Sequence, residues 1–280
     1  MSLRHVLSCL IPAVAALFIV PAAALAADLP PSAGPGVRVL EPMTIPGLDR
    51  ERTIRLYLPP GYDASTKRYP VLYMHDGQNL FDDATSYVGE WGVDEALDAL
   101  ADEGLELIVV GIDHGGEKRF NELSPWAHPR FGAGENARYT AFIVDVVKPH
   151  VDANYRTRPE REHTGIMGSS MGGIASHYAL YSYGGTFSKA GIFSPAYWTG
   201  PAIAAWTDAA ILRPDARVWM NMGEKEGDDM TRPFAGMSAL VAADVAPENF
   251  HAAVVPGAGH NEKFWRAEFP AAIRFLYGSD

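Results

Sequence analysis

The sequence predicts an α/β fold: a mostly parallel central sheet with helices on both faces. Short runs rich in β-branched and aromatic residues alternate with longer segments of helical periodicity, and no internal repeat is visible. Strands separated by helices in this way pair in parallel, because each helix returns the chain to the same end of the sheet. We expect residues 37–280 to form a single domain of this kind, since that length can bury a large core.

The predicted elements follow one another regularly until one long connection interrupts them. The expected strands are 52–58, 71–75, 105–112, 163–167, 189–193, 217–222 and 251–255. The expected helices are 93–103, 139–150, 172–183, 234–243 and 262–277. Residues 113–136 fit neither pattern because they are rich in Gly and Pro, and connections of that length in a compact domain usually carry function or are disordered.

The pattern of residues 1–26 is typical of an export signal. Arg4 and His5 form a short polar start, an apolar run follows, and Ala24-Leu25-Ala26 is a small-residue cleavage site. A membrane anchor is the alternative, but prolines interrupt the apolar run and no second apolar stretch is long enough to span a bilayer. We therefore expect a secreted or periplasmic protein that is not stably inserted in a membrane after cleavage. Residues 27–36, rich in Pro and Gly, are expected to be a flexible tether.

The composition of the mature chain excludes several classes of function. Its only cysteine, Cys9, lies in the predicted signal, so neither a disulfide framework nor a thiolate nucleophile is expected. The chain carries a formal net charge of −11, which argues against nucleic acid or an anionic membrane surface as partner. No metal site is predicted, because the acidic residues follow no EF-hand spacing and have no nearby histidine ligand.

The motif Gly168-Ser169-Ser170-Met171-Gly172 predicts a nucleophilic serine. In G-x-S-x-G the serine sits on a tight turn between a strand and a helix, where neighbours two residues away must lack side chains. Here a predicted strand ends directly before the motif and a predicted helix begins directly after it. The context favours Ser170 as nucleophile over an inert serine in a glycine-rich turn.

A serine hydroxyl needs a base that accepts its proton and an acid that orients the base. In the order serine, acid, histidine, the base follows the last strand, which leaves His251 and His260. We favour His260, because it stands in a loop after Pro256-Gly257-Ala258-Gly259, whereas His251 lies within the predicted strand. The acid should follow strand 217–222, where Glu224, Glu226, Asp228 and Asp229 all stand. Their spacing alone leaves the choice among these carboxylates open.

At these positions the chain resembles the esterase family of α/β-hydrolases that groups enterochelin esterase-like hydrolases, feruloyl and acetylxylan esterases, S-formylglutathione hydrolases and mycolyltransferases. The matching pieces are residues 69–77, 168–173 and 259–261. The resemblance implies an α/β-hydrolase fold, ester substrates and no cofactor. It also implies that the backbone N–H groups of Gln78 and Met171 form an oxyanion hole, and that Glu226, three residues after Gly223, is the acid. Asp228 is the runner-up, because a slightly longer excursion of the loop would bring its shorter carboxylate to the same point.

The expected substrate is an ester of a polar small molecule or saccharide, for example an acyl sugar, a feruloyl ester or a siderophore ester. Trp126, Tyr197 and Trp198 are candidates for an aromatic wall that binds it, although aromatic residues fill cores equally well. We hypothesise that residues 113–136 shape the leaving-group pocket. Two alternatives remain open: acyl transfer by the same residues, and a noncatalytic carbohydrate-binding protein on a hydrolase scaffold.

Overall fold

In a computed structural model, residues 30–278 are described, and eight of their strands form a single sheet. The predicted signal peptide lies outside the described residues. The strands are β1 (Val37–Ile45), β2 (Arg50–Tyr57), β3 (Val71–His75), β4 (Ile108–Ile112), β5 (Thr164–Ser169), β6 (Lys189–Phe193), β7 (Arg217–Gly223) and β8 (Phe250–Val255). Their spatial order is β1-β2-β4-β3-β5-β6-β7-β8. β1 and β2 are antiparallel and all later strands are parallel, so the predicted fold class is confirmed.

Eight α-helices accompany the sheet within the described residues. They are α1 (Val93–Ala101), α2 (Arg119–Leu123), α3 (Asn136–Phe142), α4 (Lys148–Asn154), α5 (Met171–Ser182), α6 (Ile203–Ala209), α7 (Asp228–Asp244) and α8 (Glu262–Tyr277). A π-helical turn, Ile143–Val147, joins α3 to α4. The predicted helix 139–150 therefore corresponds to three consecutive helical segments.

Side chains of the central strands alternate between two cores on opposite faces of the sheet. In β3, Val71 and Tyr73 enter the core that α3, α5 and α7 cover, whereas Leu72 and Met74 enter the core that α1 and α8 cover. All four are fully buried, which explains why this strand reads as a continuous apolar run. The Tyr277 hydroxyl at the end of α8 donates a hydrogen bond of 3.0 Å to the carbonyl of Val71, so the last helix is fastened to the start of β3.

Strand β1 is not among the predicted strands, because its sequence lacks the pattern of a buried strand. Only Ile45 is buried among its nine residues. Pro42 lies where the pairing with β2 shifts register between Leu40 and Met43. A proline cannot donate to the sheet and is tolerated at such an edge irregularity.

The described part of the predicted tether contacts the domain through its backbone. Ser32 donates its N–H to the carboxylate of Asp82 at 3.1 Å, and Gly34 donates to Asp94 at 2.7 Å. These bonds place residues 32–34 against the segment that leads into α1.

The long connection at residues 113–136 is fixed to the sheet by a buried ion-pair cluster. The carboxylate of Glu122, on α2, is 1% exposed and bonds to the guanidinium groups of Arg50 and Arg52 on β2. Asn136 adds a hydrogen bond of 3.1 Å from its side chain to the Glu122 carbonyl. A buried charge needs such partners because its desolvation is otherwise uncompensated.

We predict that Glu122→Ala lowers the free energy of unfolding by about 3–5 kcal/mol, because it leaves the buried Arg52 without its partner. Chemical denaturation of the two proteins measures the difference. The matched control is Asp63→Ala, which breaks the exposed pair with Arg38 and should cost less than about 1 kcal/mol. Equal losses in the two variants would show that the cluster does not anchor the connection.

Candidate active site

Ser170 sits in the strained turn that the motif predicts. It joins β5 to α5 with φ 56° and ψ −117°, a region that residues with side chains rarely occupy. A Cβ on Gly168 would lie 2.9 Å from the backbone of Gly172 and from the ring of His75. The turn therefore requires glycine at position 168.

Backbone hydrogen bonds hold this turn from both sides. Ser170 donates its N–H to the carbonyl of Phe193 at 2.9 Å, at the end of β6. The Ser170 carbonyl accepts the N–H of Ala196 at 3.0 Å. Because these bonds fix the main chain, they offset the unfavourable conformation and hold the position of the hydroxyl.

The carboxyl ends of the parallel strands meet around a cavity of about 390 Å³. Ser170 and His260 both line it, so the structure brings the predicted nucleophile and base to one cavity. The side chain of His260 is 37% exposed, whereas that of Glu226 beside it is only 1% exposed. An accessible imidazole backed by a buried carboxylate is the arrangement that general-base chemistry requires.

Glu226 is held by three hydrogen bonds. Its carboxylate accepts from His260 Nδ1 at 2.7 Å, from Ser194 Oγ at 2.5 Å and from the Gly223 N–H at 2.8 Å. Trp265 Nε1 donates to Ser194 Oγ at 2.9 Å and so orients that hydroxyl. Burial acts to raise the pKa of Glu226, but the hydrogen bonds from His260, Ser194 and Gly223 outweigh it and hold that pKa below its ordinary value.

Of the candidate carboxylates, the structure brings Glu226 to the imidazole and directs the others elsewhere. Glu224 accepts the backbone N–H of Gly257 at 2.9 Å. Asp228 and Asp229 are exposed in the first turn of α7. The bond from His260 Nδ1 to Glu226 places the Nδ1 proton, which leaves Nε2 as the acceptor in the neutral ring.

The amides of Gln78 and Met171 lie at the same edge of the sheet. Gln78 belongs to a 3₁₀ turn, Gly77–Asn79, that follows β3, and Met171 is the first residue of α5. Backbone N–H groups in the first turn of a helix have no partner within it and are available to an anion. The parallel pairing of β3 with β5 brings the two turns side by side.

Two features of the site were not predicted from the sequence. One is the pair Ser194 and Trp265, which supports Glu226 from the loop after β6 and from α8. The other is Arg119 on α2, which bonds to both oxygens of Asp76 at 2.6 and 2.9 Å and lines the cavity with it. Burial acts to raise the pKa of Asp76, but the ion pair with Arg119 outweighs burial and holds that pKa below its ordinary value. This carboxylate is therefore ionised.

The expected aromatic wall lies outside this cavity. Trp126 packs against Tyr178 and Trp206, with ring centroids 6.3 and 5.8 Å away. Tyr197 is buried, with its hydroxyl 3.0 Å from His177 Nδ1, and Trp198 is exposed beside a separate groove. The aromatic residues that line the cavity are instead Tyr87, Trp91 and Trp265. The connection 113–136 does reach the cavity, through His114, Gly116 and Arg119.

Among residues 30–278, no group of three or more His, Cys, Asp or Glu side chains is placed to hold a metal ion. In the same part of the chain, no helix is both long enough and apolar enough to cross a bilayer.

We predict that Gly168→Ala destabilises the fold by about 1–3 kcal/mol, because the added methyl group overlaps the backbone of Gly172. Thermal and chemical denaturation measure the loss. Gly185→Ala is the control, since a Cβ there meets nothing within 4 Å. Similar stability of both variants would refute the packing argument for position 168.

Known proteins with similar sequences and folds include esterases. A family model described as "Putative esterase" matches residues 45–276. The uncharacterized protein YbbA of Bacillus subtilis is 27% identical over 243 residues, which cover 82% of this chain and 94% of YbbA. An endo-1,4-β-xylanase/feruloyl esterase of Xylanibacter ruminicola is 25% identical over 222 residues, which cover 77% of this chain and 28% of that protein.

The fold is shared with solved esterase structures. Enterochelin esterase from Shigella flexneri superposes with a TM-score of 0.70 at 18% identity, over 89% of this chain and 60% of that one. A ferulic acid esterase superposes with a TM-score of 0.66 at 17% identity, over 86% of this chain and 98% of that one. Because the family model extends from the end of β1 into the last turn of α8, the chain belongs to this esterase family of α/β-hydrolases.

Proposed function

We propose that the protein is an exported serine carboxylic-ester hydrolase that acts through an acyl-enzyme on an ester of a polar small molecule or saccharide. One observation carries the mechanism: Ser170, in its strained turn, shares a cavity with His260, whose imidazole is bonded to the buried carboxylate of Glu226. Membership of the esterase family supports ester hydrolysis as the reaction. The signal pattern in residues 1–26 supports export.

In the proposed first half-reaction, Ser170 Oγ attacks the ester carbonyl carbon while His260 Nε2 accepts the hydroxyl proton. The carbonyl π electrons move to oxygen, and the N–H groups of Gln78 and Met171 stabilise that oxyanion. Glu226 keeps the imidazole in the required tautomer and stabilises its protonated form. When the tetrahedral intermediate collapses, the imidazolium gives its proton to the alcohol oxygen, the C–O bond breaks and the acyl group remains on Ser170.

The second half-reaction repeats these steps with water. His260 accepts a proton from a water molecule, whose oxygen attacks the acyl carbon, and the same amides stabilise the second oxyanion. Collapse returns the proton to Ser170 Oγ and releases the carboxylic acid. No cofactor is needed, since only protons and an acyl group are transferred.

The cavity and the relatives support the proposed substrate class. A cavity of about 390 Å³ lies at the small end of the range for small-molecule sites, which favours a small ester or one end of a larger one. The similar proteins include a feruloyl esterase and an enterochelin esterase, whose names describe esters of polar molecules.

We predict that Ser170→Ala folds normally but loses nearly all ester hydrolysis. The oxyanion donors and substrate binding alone should leave a rate on the order of a thousandfold above water. Steady-state kinetics on nitrophenyl acetate measures the loss, and mass spectrometry after treatment with an organophosphonate locates the modified residue. The control is Ser169→Ala, which should keep both labelling and turnover. Turnover in Ser170→Ala above about a tenth of the wild-type value would reject the assignment, because it exceeds that residual level.

We also predict that Glu226→Gln keeps the fold but lowers kcat on the order of a thousandfold or more, because the amide no longer holds the required tautomer or stabilises the imidazolium. Asp228→Asn is the control, since that side chain is exposed and should leave kcat near the wild-type value. Parallel kinetics of the two variants decides between the carboxylates. A severe loss in Asp228→Asn alone would transfer the role to Asp228.

A further inference from the structure

Glu262 is a carboxylate in the cavity that the proposed mechanism does not use. It is the first residue of α8, two positions after His260, and it lines the cavity with Ser170. Its side chain forms no hydrogen bond or ion pair with any other residue in the described range 30–278. Among the described residues its carboxylate accepts only its own backbone N–H, so it keeps acceptor capacity for a ligand.

The charges around the cavity leave Glu262 unbalanced. The acidic and arginine side chains that line the cavity are Asp76, Arg119 and Glu262. Asp76 and Arg119 neutralise each other in a bidentate ion pair. His75 adds no charge, because burial lowers its pKa to about 4. Burial raises the pKa of Glu262 above its ordinary value, and the nearby His260 and Arg119 offset this only in part. With the Asp76–Arg119 pair neutral, the ionised form of Glu262 gives the cavity lining a net negative charge.

Asn79 and Tyr87 also line the cavity. The Asn79 side-chain oxygen accepts the backbone N–H of Tyr87 at 3.0 Å, which leaves the two amide protons as donors directed to no other residue in the described part. Tyr87 lines the cavity and is 66% exposed, so much of its side chain is accessible to a ligand. A carboxylate acceptor, an amide donor and an accessible aromatic ring together match the hydroxyl groups and C–H faces of a sugar.

The position of Glu262 beside His260 indicates which part of the substrate it meets. In the proposed mechanism the imidazole gives its proton to the leaving alcohol oxygen, so the alcohol lies next to His260. We propose that Glu262, Asn79 and Tyr87 form the subsite for the alcohol portion of the ester, and that this portion is a neutral polyhydroxy group, such as a saccharide without a carboxylate. This inference rests on the proposed function and narrows its substrate class.

The test compares two acetyl esters that differ by one charge: an acetylated methyl xyloside and an acetylated methyl glucuronide with a free carboxylate. The wild type should favour the xyloside in kcat/KM. Glu262→Gln should lower this preference about tenfold or more, because it removes one charge–charge contact in a partly desolvated site. The control Glu248→Gln makes the same charge change in the exposed turn before β8, at the opposite end of the sheet, and should keep the wild-type preference.

A binding measurement separates the subsite from the chemistry. Calorimetry with Ser170→Ala and with Ser170→Ala/Glu262→Gln should give the same change in relative affinity for the two sugars without any turnover. A wild-type preference for the glucuronide, or an unchanged ratio in Glu262→Gln, overturns the subsite while leaving ester hydrolysis intact. Selective binding of the xyloside by Ser170→Ala, together with a wild type that hydrolyses neither of these esters nor nitrophenyl acetate, supports the subsite and rejects the proposed reaction.

Discussion

The geometry of the site depends on the carboxylate of Glu226, which joins elements that are distant in the sequence. The bonds to this side chain come from the loop after β6, the end of β7 and the loop after β8, and Trp265 adds α8 through Ser194. A buried carboxylate is costly unless every lone pair finds a donor. Because the same bonds that satisfy Glu226 also orient His260, folding stability and imidazole position are set by the same groups.

Parallel pairing is what brings these groups together. All strands from β3 onward run in one direction, so every loop at their carboxyl ends emerges at the same edge. Ser170, Gln78, Glu226 and His260 each follow the end of a different strand. The turn at Ser170 is the most strained of these positions, and the hydrogen bonds to Phe193 and Ala196 are available only because β6 lies beside β5.

Much of this arrangement was predictable from sequence, and the exceptions have physical reasons. The bounds of β3, β6 and α8 were predicted to the residue, since buried parallel strands and a long amphipathic helix leave strong patterns. Strand β1 escaped prediction because most of its side chains are exposed. The roles of Ser194 and Arg119 were not predicted, because they arise from contacts with Glu226 and Asp76, which lie 32 and 43 positions away in the sequence. Trp126 was predicted to bind substrate, but an indole ring suits a binding site and a core equally well. Only its packing against Tyr178 and Trp206 shows that it lies outside the cavity.

The bond between Tyr277 and Val71 joins residues 206 positions apart and has a consequence for how the chain folds. Glu262 and Trp265 of the same last helix line the cavity. A domain whose first parallel strand is fastened by its final helix has high contact order, and such topologies fold slowly, because a long loop must close before the contacts form. During synthesis the nascent chain has no complete core until α8 has emerged. The cavity and the core beneath α8 therefore become complete in the same late step.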